Sequence, residues 1–375
     1  MRILQVPPYA PPMEGGSERY CFNLSKKLLS KGHDVEIYTS QFPRDTPAYQ
    51  VIEGVPVTRF FCHAYMLQVN PLCFFWKKLL DRIDEIDLVH AHSYIYFLAN
   101  QTAVVRLLRR FPFILHLHGG LGYIPPSLMG YKAAMMKIFY DRTVGPFTMK
   151  TADRLIACCE TDRMMAVEKF GVDADRVITI YNPVEVDSFS MSKHGNPCNV
   201  VFIGRLTALK GGHHIPTILK ELWERHGDSV RFTIVGDGQL RVWMRDKTQG
   251  LPITFTGVIP NHRVPGILRN AGVLILPSFL EGFPLVNIEA LASGVPVVSY
   301  DVGGCSEIVD DGRTGFLIPA GDRDSFVDRV SYLIENSDER RRMGRVGRRI
   351  VEERHSWKTA LGKIEKVYEE VSIYG

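Results

Sequence analysis

Two series of short apolar runs, each run followed by a longer segment of helical spacing, constrain this chain more than anything else in it. The first series is RILQV from Arg2, DVEIYT from Asp34, DLVHAH from Asp87, FILHLH from Phe113 and RLIACC from Arg154. The second begins afresh with NVVFIG from Asn199 and continues with RFTIVG from Arg231, ITFTG from Ile253, VLILPS from Val273 and PVVSY from Pro296. A run without polar alternation has no face to give to water, so it suits a parallel strand covered on both sides. The helical segments between runs supply the crossovers of βαβ units. Because the pattern starts twice, it predicts an α/β chain of two doubly wound parallel sheets facing a cleft. The first domain is expected over 1–182, a polar linker over 183–197, and the second domain over 198–355. The tail 356–375 places Trp357, Leu361, Ile364, Tyr368 and Val371 on one helical face, which must be buried either in its own domain or back on the first.

Composition narrows the class. At 375 residues the chain exceeds one ordinary core, and 45% hydrophobic with 23% charged residues is globular. A net charge of +4 is too mild to point to nucleic acid. No apolar run approaches the ~18 residues of a membrane span, and MRILQVPPYAPP lacks the pattern of a cleaved leader. Seven cysteines, an odd number with Cys158 and Cys159 adjacent and no C-x-x-C pair, fit a reduced interior and a cytoplasmic location.

In open α/β sheets, ligands sit beyond the carboxyl ends of strands, so the residues just after each run are the informative ones. Gly15 and Gly16 follow the first run and precede a helix, where bare backbone N–H groups can approach an anion; a plain turn would look the same. Gly236, in GDGQLR, is a fragment of a phosphate-loop pattern. After the first strand of the second series come Gly204, Arg205 and, five residues on, Lys210: a planar fork and a point charge suited to a diphosphate, or else two solvated surface charges. His90, His92, His116 and His118 lie on two strands and raise the question of zinc. No supporting cysteine or carboxylate motif joins them, so no metal is expected, and His118, next to Gly119 and Gly120, remains a polar candidate. In SFLEGFPLVNIEALASGVPVV, Glu281 stands in a loop before the stiff Gly282-Phe283-Pro284. Glu289 stands inside the helix that follows, with Pro284 expected in that helix's first turn. Both acids can accept hydrogen bonds from paired sugar or ribose hydroxyls; an exposed helix carboxylate is the bland alternative for Glu289.

Together GGSER, HLHG, IGRLTALKG, VGDG, FTGVIP and EGFPLVNIEALASGVPVV resemble the retaining glycosyltransferases of family 4, the GT-B fold, over nearly the whole chain. The resemblance implies two Rossmann-like domains, with a C-terminal helix crossing back to the first. The donor would be a UDP-, GDP- or ADP-sugar, needing no further cofactor and no metal. It implies that Arg205 and Lys210 hold the donor diphosphate and that Glu289 meets the ribose. Glu281 would meet the sugar hydroxyls, with Gly282, Phe283, Pro284 and Leu285 giving backbone contacts. His118 would lie beside the transferred sugar, Gly16 near the donor phosphate, and Ile259 against the base. The acceptor would be a glycan, a lipid-linked group or another hydroxyl, as in cell-envelope glycan biosynthesis. The Asp-x-Asp matches at Asp173/Asp175 and Asp322/Asp324 fall outside these motifs and read as surface. Pro183 and Glu185 stand where relatives often carry Gly and Asp, a change confined to the linker. A nucleotide-sugar epimerase, a phosphorylase of the same fold and a non-catalytic nucleotide-sugar binder remain alternatives.

Two stretches, Tyr65–Arg82 and Gly130–Lys150, interleave Lys and Arg with aromatic residues and Met; they suit either helices packed on the sheet or a peripheral contact with an anionic membrane. The arginine-rich run from Glu339 reads as a solvated helix face.

Overall fold

The computed structural model describes residues 1–13, 15–66, 70–122, 130–193, 195 and 197–374. The chain divides into two compact units, Met1–Asn182 with Ala360–Gly375, and Pro183–Thr359.

Among the described residues the first unit holds ten strands: β1 (Arg2–Val6), β2 (Asp34–Ser40), β3 (Tyr49–Ile52), β4 (Val55–Phe60), β5 (Cys62–Met66), β6 (Asn70–Cys73), β7 (Leu88–His92), β8 (Phe113–Leu117), β9 (Arg154–Ala157) and β10 (Val177–Thr179). Eight form one sheet in the order β10-β9-β8-β7-β1-β2-β4-β3, parallel throughout except for β3 against β4. Every residue of β7 and β8 is buried, His90, His92 and His116 among them, so both faces of these parallel strands are covered. The remaining two strands pair antiparallel as a separate β5-β6 ribbon. Tyr65–Arg82 is therefore strand at Tyr65 and Met66, the end of β5, and at Asn70–Cys73, and only Trp76–Arg82 is helix, while residues 67–69 lie outside the described residues.

The second unit contains β11 (Cys198–Ile203), β12 (Val230–Val235), β13 (Ile253–Gly257), β14 (Val273–Leu276), β15 (Val297–Tyr300) and β16 (Gly315–Ile318), all parallel, in the order β13-β12-β11-β14-β15-β16. This is the 3-2-1-4-5-6 order of a Rossmann sheet. Val200, Phe232, Val273 and Val298 pack its core together with Ile218, Leu222, Phe326 and Val330 from covering helices.

The last helix, Trp357–Tyr374, passes from the second unit into the first at Ala360. Ile364, Tyr368 and Val371 are buried. Burying a side chain the size of Ile364 contributes roughly 1.5–3 kcal/mol, which helps hold this segment to its unit.

The arginine-rich run matches the expected solvated helix face at Arg341, Arg345 and Arg349, which are exposed, and departs from it at two other arginines. It forms the helix Ser337–Arg354, but Arg340 is buried, its Nη1 donating to the carbonyls of Leu333 (2.6 Å) and Ile334 (3.0 Å). Arg348 donates to the carbonyls of Phe189 (2.6 Å) and Ala292 (2.5 Å). These guanidiniums cap carbonyls that would otherwise be left unpaired, a use of charge that sequence pattern does not distinguish from solvation. All seven cysteines are buried and free.

Candidate functional site

In the second sheet β11 and β14 are neighbours, and the chain departs from them toward opposite edges. Loops leaving two such strands diverge, and the crevice between them is where open α/β sheets take ligands. Arg205 and Lys210 lie in the loop after β11, and Glu281 in the loop after β14.

The loops are locked together by backbone. Gly204 N–H donates to Val235 O (3.0 Å), Gly236 N–H to Gly257 O (2.9 Å), and Phe279 N–H to Leu209 O (2.9 Å). Lys210 ends a short 3-10 turn, Ala208–Lys210, and Gly211 follows at φ 72°, where a Cβ would overlap the Pro277 carbonyl. Only glycine combines that backbone conformation with that approach. The result sets Lys210 Nζ 2.7 Å from Glu281 Oε1 and 2.6 Å from Oε2. The Glu281 side chain is only 6% exposed, so its charge needs this partner. Rather than standing open in its loop, the acid closes on the lysine. The adjacent Cys305 thiol is pushed up to about 12, first by burial and then by the Glu281 carboxylate.

A third loop completes the arrangement, and sequence reasoning passed over it. Gly303 follows β15 at φ 54°, with no room for a Cβ against the Glu281 carbonyl, and Gly304 N–H donates to Gly282 O (2.7 Å). The signal was present: DVGGCSE is a glycine pair just after a strand, the same criterion that singled out Gly15 and Gly16. His214, whose Nδ1 is 2.8 Å from the Tyr300 hydroxyl, was also missed; it belongs to no motif.

Arg205 is exposed, and among the described residues its guanidinium has no acidic partner. Phe283 and Glu289 are buried, Ile259 is half-buried, and Leu285 opens the helix Leu285–Ala292. Pro284 is not in that helix's first turn but is the residue before it, with extended backbone. Asp322 caps the helix Arg323–Glu335 by accepting from Ser325 N–H (3.1 Å), and the Asp173 side chain is mostly exposed.

In the first unit Gly15 is the N-cap of the helix Gly16–Ser30. His118 directly follows β8 and is half-buried, its Nε2 2.9 Å from His92 Nδ1; burial pushes its pKa down to about 3. His90, His92 and His116 bring ligand atoms within 4.8 Å of one another. They do not suit an ion as placed, because both His92 nitrogens are already engaged, Nδ1 with His118 and Nε2 with Gln5 Oε1 (2.8 Å).

Two Rossmann-type sheets with a returning C-terminal helix define a GT-B-type protein, and the comparisons agree. The pattern of the glycosyl transferases group 1 matches residues 184–350, and that of glycosyltransferase family 4 matches residues 14–188. The chain belongs to the group 1, family 4 glycosyltransferases. It is 29% identical to a D-inositol 3-phosphate glycosyltransferase of Nocardia farcinica, over 88% of this chain and 79% of that one. A sucrose-phosphate synthase from Thermosynechococcus elongatus superposes with a TM-score of 0.82 at 18% identity, covering 100% of both chains. Anabaena Alr3699/HepE in complex with UDP-glucose superposes with a TM-score of 0.78 at 20% identity, covering 99% of this chain and 100% of that one.

Proposed function

We propose that this glycosyltransferase moves a hexose-type sugar from a nucleotide-sugar donor to a hydroxyl of a glycan or lipid-linked acceptor, with retention of configuration and without a metal. The observation that carries the reading is the Lys210–Glu281 pair, held at the switch point of the second sheet by three interlocked loops. A diphosphate arriving there competes with Glu281 for the ammonium. Arg205, exposed and without an acidic partner among the described residues, adds a planar fork for the same anion. As the glycosidic bond breaks, charge grows on the leaving diphosphate, so these cations stabilise the transition state more than the ground state. Glu281, released from the lysine, accepts hydrogen bonds from sugar hydroxyls. Glu289 receives the ribose, Ile259 the base, and His118 a hydroxyl of the transferred sugar. Attack from the leaving-group side retains configuration. HepE, which is solved with UDP-glucose, favours UDP-glucose as the first donor to try.

The test is a thermal-shift screen with UDP-, GDP- and ADP-sugars, followed by donor turnover with and without added acceptors. One nucleotide class should raise the melting temperature through preferential binding to the folded state. No stabilisation by any of the three would overturn the reading, and complete donor conversion to an epimer without acceptor would move it to epimerisation.

A membrane-borne acceptor is favoured by the helix Tyr131–Arg142, which exposes Tyr131, Met135 and Phe139 at four-residue spacing beside Lys132. No described helix is long and apolar enough to cross a membrane, so the contact would be peripheral. Flotation with anionic vesicles at low salt should carry the protein upward; absence of binding removes the membrane from the proposal.

A further inference from the structure

The interior of the first unit holds a polar chain that no sequence motif announces. His118 Nε2 meets His92 Nδ1 at 2.9 Å, and His92 Nε2 meets Gln5 Oε1 at 2.8 Å. Gln5 Nε2 meets the Tyr368 hydroxyl at 3.2 Å, and that hydroxyl meets His90 Nδ1 at 2.6 Å. Gln5, His90, His92 and Tyr368 are buried, so none of these groups has bulk water as an alternative partner. The chain runs from the strand exit that carries His118, through β1 and β7, to the helix Trp357–Tyr374.

The order of donors along it is determined by one side chain. The Gln5 carbonyl oxygen faces His92, so His92 Nε2 must carry a proton and donate it. The Cys21 thiol, 3.9 Å away, lies on the same oxygen and supports that orientation. Burial holds His92 neutral, which leaves its Nδ1 as an acceptor. His118 Nε2 must then be the N–H that donates to it. At the far end the Gln5 amide donates to the Tyr368 oxygen, whose own hydrogen goes to His90 Nδ1. Stacking fixes the plane of the last ring: His116 and His118 lie 4.3 Å apart at 2°, and Tyr20 meets His118 edge-on at 5.2 Å.

We infer that Tyr368, Gln5 and His92 are positioning residues, which hold His118 as its Nε2–H tautomer and so present Nδ1 as a hydrogen-bond acceptor. A sugar hydroxyl is a donor that such a lone pair can orient. Fixing the tautomer before substrate arrives removes an equilibrium that would otherwise leave part of the protein with a proton facing that hydroxyl. The C-terminal helix is thus tied to the first unit by more than apolar packing: its tyrosine ends the chain that sets the His118 proton. The use of Nδ1 in catalysis rests on the function proposed above; the tautomer itself does not.

The experiment is 15N NMR of histidine-labelled protein at neutral pH, with the His118 signals assigned by comparison with His118→Gln. The wild type should show His118 protonated on Nε2 and bare on Nδ1. Tyr368→Phe and Gln5→Leu should each shift the signals toward a tautomer mixture. Turnover should fall about tenfold in both, the scale of losing one hydrogen bond's worth of orientation, with the donor KM unchanged. A wild-type His118 protonated on Nδ1 would overturn the inference, as would variants that fold yet keep the wild-type tautomer. If a variant does not fold, the wild-type spectrum still decides. A correct tautomer combined with undiminished turnover in His118→Gln would keep the chain and refute the role proposed for His118.

Discussion

Lys210 Nζ lies within 2.7 Å of both carboxylate oxygens of Glu281, which is 71 positions further along the chain. The two residues come from loops after adjacent strands, and the pair turns two sequence motifs into one locus. It also creates a dependence, because each charge is placed on the assumption that the other is there.

Lys210→Met should therefore destabilise the second unit by about 1–3 kcal/mol, leaving a carboxylate that is 6% exposed without its counter-charge; partial exposure of the lysine keeps the loss below that of a fully buried pair. Lys210→Met combined with Glu281→Gln should recover much of this. Urea midpoints of the two single variants and the double variant measure the coupling, and strictly additive losses would contradict it.

Arg205→Ala should separate function from stability. The side chain is exposed, so the melting temperature should change little, within about 0.5 kcal/mol in stability terms. Donor turnover should fall by ~10²–10³, the scale for removing one preorganised charge donor. Steady-state kinetics with the donor found by thermal shift would check it, and near-normal turnover would remove Arg205 from the site.

Gly211→Ala and Gly303→Ala should disturb the shelf on either side of Glu281. Each adopts a positive φ, and a methyl group there would overlap the carbonyl of Pro277 or Glu281. The left-handed conformation alone costs about 1–2 kcal/mol in a non-glycine residue, and displacing a backbone carbonyl adds to it. Stabilisation by the donor should drop sharply in both variants. Gly227→Ala, also at positive φ but with open space around its Cβ, is the control that should lose stability and keep the donor response.

Acid should unfold the first unit by a nameable route. His90, His92 and His116 are fully buried, and burial holds all three below the ordinary histidine range, His90 at about 3. Below about pH 6.5 the unfolded chain takes up protons on these rings while the folded chain does not, so stability falls as pH falls toward the folded values. Each ring contributes a slope of about 1.4 kcal/mol per pH unit in that window. Urea midpoints between pH 7 and pH 4.5 should decline steeply, and His116→Phe, removing the ring whose nitrogens have no hydrogen-bond partner among the described residues, should make the decline shallower.

Legibility differed among elements for physical reasons. The parallel strands could be read because burial on both faces leaves unbroken apolar runs, as in Val273–Leu276. The edge strand Tyr49–Ile52 could not be, since three of its four residues are exposed and carry no such mark. The returning helix was visible as a stripe of Leu361, Ile364, Tyr368 and Val371, whereas its tyrosine's link to Gln5, 363 positions away, was not. The arginines at 340 and 348 were misread because a guanidinium on a carbonyl and one in water have the same sequence appearance.

Local chemistry alone was enough to specify the two series of βαβ units, the glycines and charges that end their strands, and the helix that closes the chain, because these depend on periodicity and on residues close in sequence. Which charge faces which, that Glu281 folds onto Lys210 rather than into solvent, and which way the protons run from His118 to Tyr368 were decided only when distant loops and strands came together. Electrostatic pairing and hydrogen-bond direction are properties of neighbours in space, and a linear chain does not carry them until its sheets have been ordered.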